Sequence, residues 1–259
     1  MARAMWKASL RVGKEALPVK LYSAVEDTAV HFRLLHARDH VPVAQRMVDP
    51  DTEEEVADED VQRGLEIEEG VFIVLQPDEL ASVEPEASRD IEVTRFVPRD
   101  SVDPGWYRRP YMLGPDGKAE DYFALAAALE EAGRFGIARW VMRGTQYSGA
   151  LAPHEGRLAL IALKPAEEVV STAQLASPGG PALQKLERQL AEQLIAALDA
   201  PFDPEILHDD YRGRVRELIA AKAKGKTVRF KEAPPPKVTS DLSGALRKSL
   251  QAAKERKIA

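Results

Sequence analysis

The chain has 259 residues and no cysteine, which excludes a disulfide scaffold, a Cys-ligated zinc site and a thiol nucleophile. With 44% hydrophobic and 30% charged residues it can fill a real core, and its length suits one sizeable domain with a smaller appendage. The net charge of −6 conceals strong segregation: residues 47–100 carry 18 acidic and 4 basic side chains, whereas 212–259 carry 14 basic and 4 acidic. A basic segment can bind a polyanion within an acidic protein when it is separated by more than the Debye length, about 8 Å. Nucleic acid is therefore not excluded. Residues 1–12 lack the apolar run of a signal peptide, and no stretch approaches the roughly 18 apolar residues of a membrane span. The expectation is a soluble, cytoplasmic chain.

In chain order, the first half reads mostly as strands. Leu17, Val19 and Leu21 fall on one face of an alternating segment, with Lys20 and Tyr22 on the other. Residues 29–35 alternate similarly, with Val30, Phe32 and Leu34 opposite His31 and Arg33. Residues 71–75 form a continuous apolar run suited to a strand buried on both sides. Residues 90–97 and 158–163 are further strands, and irregular spacing with Pro and Gly between them points to a barrel or sandwich. A helix is expected over 119–132, with Tyr122, Leu125, Ala126 and Leu129 as its apolar stripe and Gly133 as its stop. It leads into a strand over 137–142, where Arg139 and Arg143 share one parity and Trp140 and Met142 the other.

From about residue 180 the period becomes helical. Leu183, Leu186, Leu190, Leu194 and Leu198 mark a long amphipathic helix, and a second is expected over 204–223. Pro234-Pro235-Pro236 then forms a stiff linker before a last helix over 240–254, with Leu242, Leu246 and Leu250 at i, i+4 and i+8. The fold class is mixed and mainly β. A β-rich body, barrel or sandwich, spans 1–178, a helical arm 179–231, and a proline linker with a detached basic amphipathic helix 232–259.

Within this layout, short strings resemble the bacterial Ku family. Met5-Trp6-Lys7-Ala8-Ser9-Leu10 is similar to the family's opening tryptophan motif, and Leu17-Pro18-Val19-Lys20-Leu21-Tyr22-Ser23-Ala24 to its most distinctive signature. Glu54-Glu55-Val56, Ile91-Glu92-Val93, Phe96-Val97-Pro98 and Val102-Asp103-Pro104 follow in order. So do Tyr111-Met112-Leu113-Gly114-Pro115-Asp116, Tyr122-Phe123-Ala124-Leu125, Phe202-Asp203-Pro204, Asp209-Asp210-Tyr211 and Ser240-Asp241-Leu242. Each is weak alone; the weight lies in their collinear order over nearly the whole chain.

The resemblance implies a Ku-type β-barrel with a helical arm embracing a second subunit, and a two-fold ring that threads double-stranded DNA ends. It further implies recruitment of a multifunctional ATP-dependent end-joining DNA ligase, and an address at the nucleoid. Some relatives carry a cysteine pair where this chain has Arg46-Met47-Val48-Asp49-Pro50-Asp51, so no metal and no cofactor are expected. The long lysine-rich tail of some relatives is expected to be absent.

Catalytic parts are missing. Gly144-Thr145-Gln146-Tyr147-Ser148-Gly149 lacks the spacing of a nucleophile elbow, and no Walker-type loop occurs. Of the trio His31, His36 and His40, the first two would point to opposite faces if 30–36 were a strand, and the acidic run 49–60 lacks the glycine and oxygen spacing of a calcium loop. No catalytic residue is assigned. A sequence-independent clamp instead needs Lys and Arg on rigid elements aimed at phosphates. The candidates are Lys20, Arg33, Arg108, Arg109, Arg139 and Arg143, against the plain alternative that they are ordinary surface charges. Leu183, Leu186, Leu190 and Leu194 are candidates for the dimer arm, or for packing within their own chain. Leu242, Leu246 and Leu250 are candidates for docking the ligase. The competing reading is a barrel adaptor that gathers protein partners through its helical tail without DNA; a hydrolase with an unrecognised site ranks third.

Overall fold

The structure is a computed structural model that describes residues 3–117, 119–171, 174–175, 185–225 and 242–258. It divides into two compact units, residues 1–28 with 33–174, and residues 29–32 with 175–259.

The first unit is built on a closed seven-stranded barrel. Its strands are β1 (Trp6–Val12), β2 (Glu15–Ser23), β5 (Asp90–Pro98), β6 (Tyr107–Pro115), β7 (Arg134–Met142), β8 (Thr145–His154) and β9 (Arg157–Leu163). The order around the barrel is β1-β2-β6-β9-β8-β7-β5, and a parallel pairing of β1 with β5 closes it. Closure removes every edge, so no ladder is left open to a foreign strand. The period of two then sends alternate side chains inward. Leu10, Val19, Leu21, Ile91, Leu151, Leu158 and Leu160 are completely buried, each worth about 1.5–3 kcal/mol of transfer free energy. The alternation read at Leu17, Val19 and Leu21 is the one the barrel uses.

Two details fix the interior. Trp140 stacks on Tyr147 at 5.4 Å between centroids, and Gly149 makes room for it. A Cβ at Gly149 would lie 2.5 Å from the Ile161 carbonyl oxygen and 2.7 Å from the indole. Helix α2 (Ala119–Ala132) covers the expected span, and Tyr122, Ala126 and Leu129 join the barrel core. The Tyr122 hydroxyl donates to the Leu113 carbonyl at 2.6 Å and accepts from the Leu158 amide at 2.8 Å. Leu113 and Leu158 form the last pair of the β6–β9 ladder, so one phenol ties α2 to the point where that seam ends. Burial raises the Tyr122 phenol above the ordinary tyrosine value.

The same unit carries a second, two-stranded sheet, β3 (Arg63–Glu68) with β4 (Val71–Leu75), followed by α1 (Pro77–Val83). The 71–75 run is a strand, but it is not buried on both sides. Phe72 is 59% exposed, and Val71, Ile73 and Val74 are exposed as well, as are Leu65 and Ile67 on β3. The segment 29–35 is also corrected: it forms no strand, apart from an isolated bridge from Leu35 to Pro42. Its alternation finds no ladder to join, and Phe32, Leu34 and Leu35 stay exposed.

The second unit holds α3 (Lys185–Leu198), α4 (Asp210–Ala223) and α5 (Leu242–Ile258). A short 3₁₀ turn, Pro204–Ile206, stands where the second helix was expected to begin, and Asp209 caps α4 by accepting from the Arg212 amide. Residues 29–32 contribute Ala29, Val30 and Phe32 to a cleft with Tyr211 and Val215 of α4. Helix α5 packs against α3 and is not detached. Leu190 on α3 and Leu250 on α5 are this unit's buried apolar residues among the described ones. The triple proline and Leu183 lie outside the described residues, as does the side chain of Leu242.

Candidate nucleic-acid interface

Five of the six basic candidates fall into three settings on the barrel strands and their turns. Lys20 stands on the outward face of β2, directly across from Lys7 on β1. Both ammonium groups converge on Asp116, at 2.6 Å from Lys20 and 3.0 Å from Lys7. The Lys20 hydrogen bond, followed by that from Lys7, holds the Asp116 carboxyl below its ordinary value, and the same contact raises the Lys20 ammonium. Two cations against one carboxylate leave a single net positive charge, half of which was legible in sequence as the polar parity of β2.

Arg108 and Arg109 sit on β6. The Arg109 guanidinium donates to Ser23 Oγ at 3.2 Å and lies 5.6 Å from the Tyr111 ring centroid, which fixes its orientation. Arg108 is 3.8 Å from Glu168. Arg33 is exposed in the irregular segment after residue 28, not on the polar face of a strand as the alternation implied.

Arg139 and Arg143 belong to the third setting, with one correction. Arg139 is on the outward face of β7, but β7 ends at Met142, so strand parity does not extend to Arg143. Met142 pairs with Thr145, leaving Arg143 and Gly144 as a two-residue hairpin loop with φ of 56° and 72°. Both positive values are those of a type I′ turn, whose right-handed twist suits a hairpin. An arginine there occupies a conformation that favours Gly or Asn. The shared strand face expected for Arg139 and Arg143 therefore does not apply.

Two clefts nonetheless relate these residues. One, of about 390 Å³, is lined by Arg11, Asp90, Glu92, Arg139 and Gln146, and by Ser88 and Val141. A second, of about 350 Å³, is lined by Trp6, Arg89, Arg143 and Gly144, and again by Ser88 and Val141. The two share a wall, so four arginines meet two carboxylates along β1, β5 and β7. The register explains the row: Glu92 lies between Arg11 on β1 and Arg139 on β7. Arg11 also binds Asp90 at 2.7 Å. Sequence reasoning missed Arg11 and Arg89. Arg11 was findable as the polar position between Leu10 and Val12 of an alternating strand; Arg89, just ahead of β5, carried no local signal.

The histidine trio is not assembled into a metal site. His36 hydrogen-bonds Asp39 at 2.7 Å, and among the described residues no group of three or more His, Asp or Glu converges on one point.

Residues 11–193 match the family model of the Ku70/Ku80 beta-barrel domain. The chain belongs to the Ku family. A protein of Anaeromyxobacter sp. (strain K) named non-homologous end joining protein Ku is 36% identical over 99% of this chain and 88% of its own length. Another of Geotalea uraniireducens (strain Rf4), named non-homologous end joining protein Ku 2, is 37% identical over 86% of this chain and 87% of its own. That of Coxiella burnetii (strain RSA 331 / Henzerling II) is 33% identical over 96% and 94%. The Ku match runs through the barrel and into α3, so the collinear strings and the closed β-barrel lead to one family. No helix of the described residues is long and apolar enough to cross a membrane.

Proposed function

We propose that this chain is a DNA-end-binding homodimer of non-homologous end joining, which encircles double-stranded ends without reading sequence and recruits the end-joining ATP-dependent ligase. The observation that carries the reading is its likeness, over nearly its whole length, to relatives named for that process. Two features support the finer parts. The β3–β4 ribbon exposes apolar side chains on both faces, and a lone hairpin of this kind is marginal in water. A second copy of the chain supplies the missing surface, and two copies make a ring. The basic positions Lys20, Arg109, Arg139 and Arg143 lie on barrel strands or their turns, as phosphate contacts that position without specifying require. In this reading the exposed Leu186 of α3 serves the arm, while Leu246 and Leu250 of α5 serve the ligase.

A binding comparison tests the reading. The chain should bind linear duplex, lose affinity steeply with salt, and become trapped when the bound duplex is ligated into a circle. Equal binding to covalently closed circles removes the ring. Arg143→Asn suits the turn and removes a charge, so it should keep the fold while weakening binding to all sequences about equally.

A further inference from the structure

The two leucine stripes assigned to different partners meet each other in this chain. On α3, Leu190 is 9% exposed, with Leu194 half-buried, while Leu186, Ile195 and Leu198 remain open. On α5, which packs against α3, Leu250 is 8% exposed and Leu246 half-buried, while Arg247 and Lys248 face solvent. The edge of α5 that a ligase would need is thus the edge turned away from solvent. Gly244 and Ala245, both half-buried, are small enough for a close helix approach. The contact is also shallow, since each helix submerges one leucine among its described residues.

From this we infer that α5 is an intrachain latch: it is held on α3 by its own docking stripe, and a ligase must displace α3 to use that stripe. The inference rests on the proposed ligase role of α5. It adds that the free chain is masked, and that the mask is the arm helix itself. A ligand whose binding-competent state is only fractionally populated shows an affinity reduced by that fraction. Weakening the α3 side should therefore strengthen recruitment, and weakening the α5 side should abolish it. A permanent composite platform of α3 and α5 would instead lose recruitment from either change.

The full chain carrying Leu190→Ser is the decisive variant, with Ile195→Ser, on the open face of the same helix, as its control. Two readouts are needed: amide hydrogen exchange of α5, and the concentration of the end-joining ligase at half-maximal stimulation of nick-free end joining. For Leu190→Ser the latch predicts faster exchange in α5 and a half-maximal concentration lowered by up to about tenfold, as for a competent state near one-tenth populated. Ile195→Ser should match the parent in both. Unchanged exchange in Leu190→Ser overturns the latch, as does faster exchange with an unchanged or raised half-maximal concentration. Leu250→Ser then shows which reading fell: lost stimulation keeps α5 as the ligase element and removes only the latch, whereas full stimulation removes the ligase role itself.

Discussion

The barrel and the β3–β4 ribbon are made of the same residue types and come to opposite ends. In the barrel, Leu10, Val19, Ile91 and Leu160 are fully buried because the sheet closes and α2 completes its core. In the ribbon, Leu65, Ile67, Phe72 and Ile73 are exposed on a sheet of two strands. Hydrophobicity alone does not bury a strand; a second layer does. The barrel finds that layer within its own chain, whereas the ribbon's would come from the second copy of the proposed dimer.

Four changes sharpen or break this contrast. Leu160→Ala empties a fully buried site and should cost about 2–5 kcal/mol in denaturant unfolding; a loss below 1 kcal/mol would mean that the barrel is not the stable element. Tyr122→Phe strips two hydrogen bonds from the end of the β6–β9 seam and should cost about 1–3 kcal/mol. It has a pH signature too. Because the folded state raises the Tyr122 phenol, its contribution is complete below the ordinary tyrosine value and is lost as pH rises through the raised one. The Phe variant should lack that alkaline limb, and an unaltered limb would assign it to another group.

Phe72→Ser acts on the ribbon. At monomeric dilution it should move the barrel's unfolding, followed by tryptophan fluorescence, by no more than about 0.5 kcal/mol. A loss comparable with that of Leu160→Ala would erase the distinction between the regions. The smallest effect concerns charge. Asp116→Asn releases Lys7 and Lys20 from their shared carboxylate, so DNA affinity at low salt should rise severalfold and the salt slope steepen by about one contact. Weaker binding would show that Asp116 positions the two lysines for phosphate instead of restraining them.

Where period and burial coincide, the sequence was readable. Leu17, Val19 and Leu21 alternate in a strand that the barrel uses, and the α2 stripe ends at Gly133, with φ of 60°. The alternation of Val30, Phe32 and Leu34 misled because a strand also needs a partner, and pairing is non-local. The apolar run at 71–75 misled in a similar way, since composition does not say whether a layer will cover it. Strand β8 escaped notice because Ser148, Gly149, Ala150 and Pro153 are poor strand formers, Gly149 being admitted for the room it leaves Trp140 and the Ile161 carbonyl. Of the candidate interface, Lys20 and Arg139 were legible as polar parity. The Asp116 bridge and the Arg11–Glu92–Arg139 row were not, because both depend on register between strands distant in sequence.

The claim that the ribbon borrows its second layer from another copy is tested most directly by the mass in solution. Light scattering at micromolar concentration should give twice the 28.6 kDa of the chain, falling to the monomer value for Phe72→Ser combined with Ile73→Ser. A parent that scatters as a 28.6 kDa particle would contradict the account.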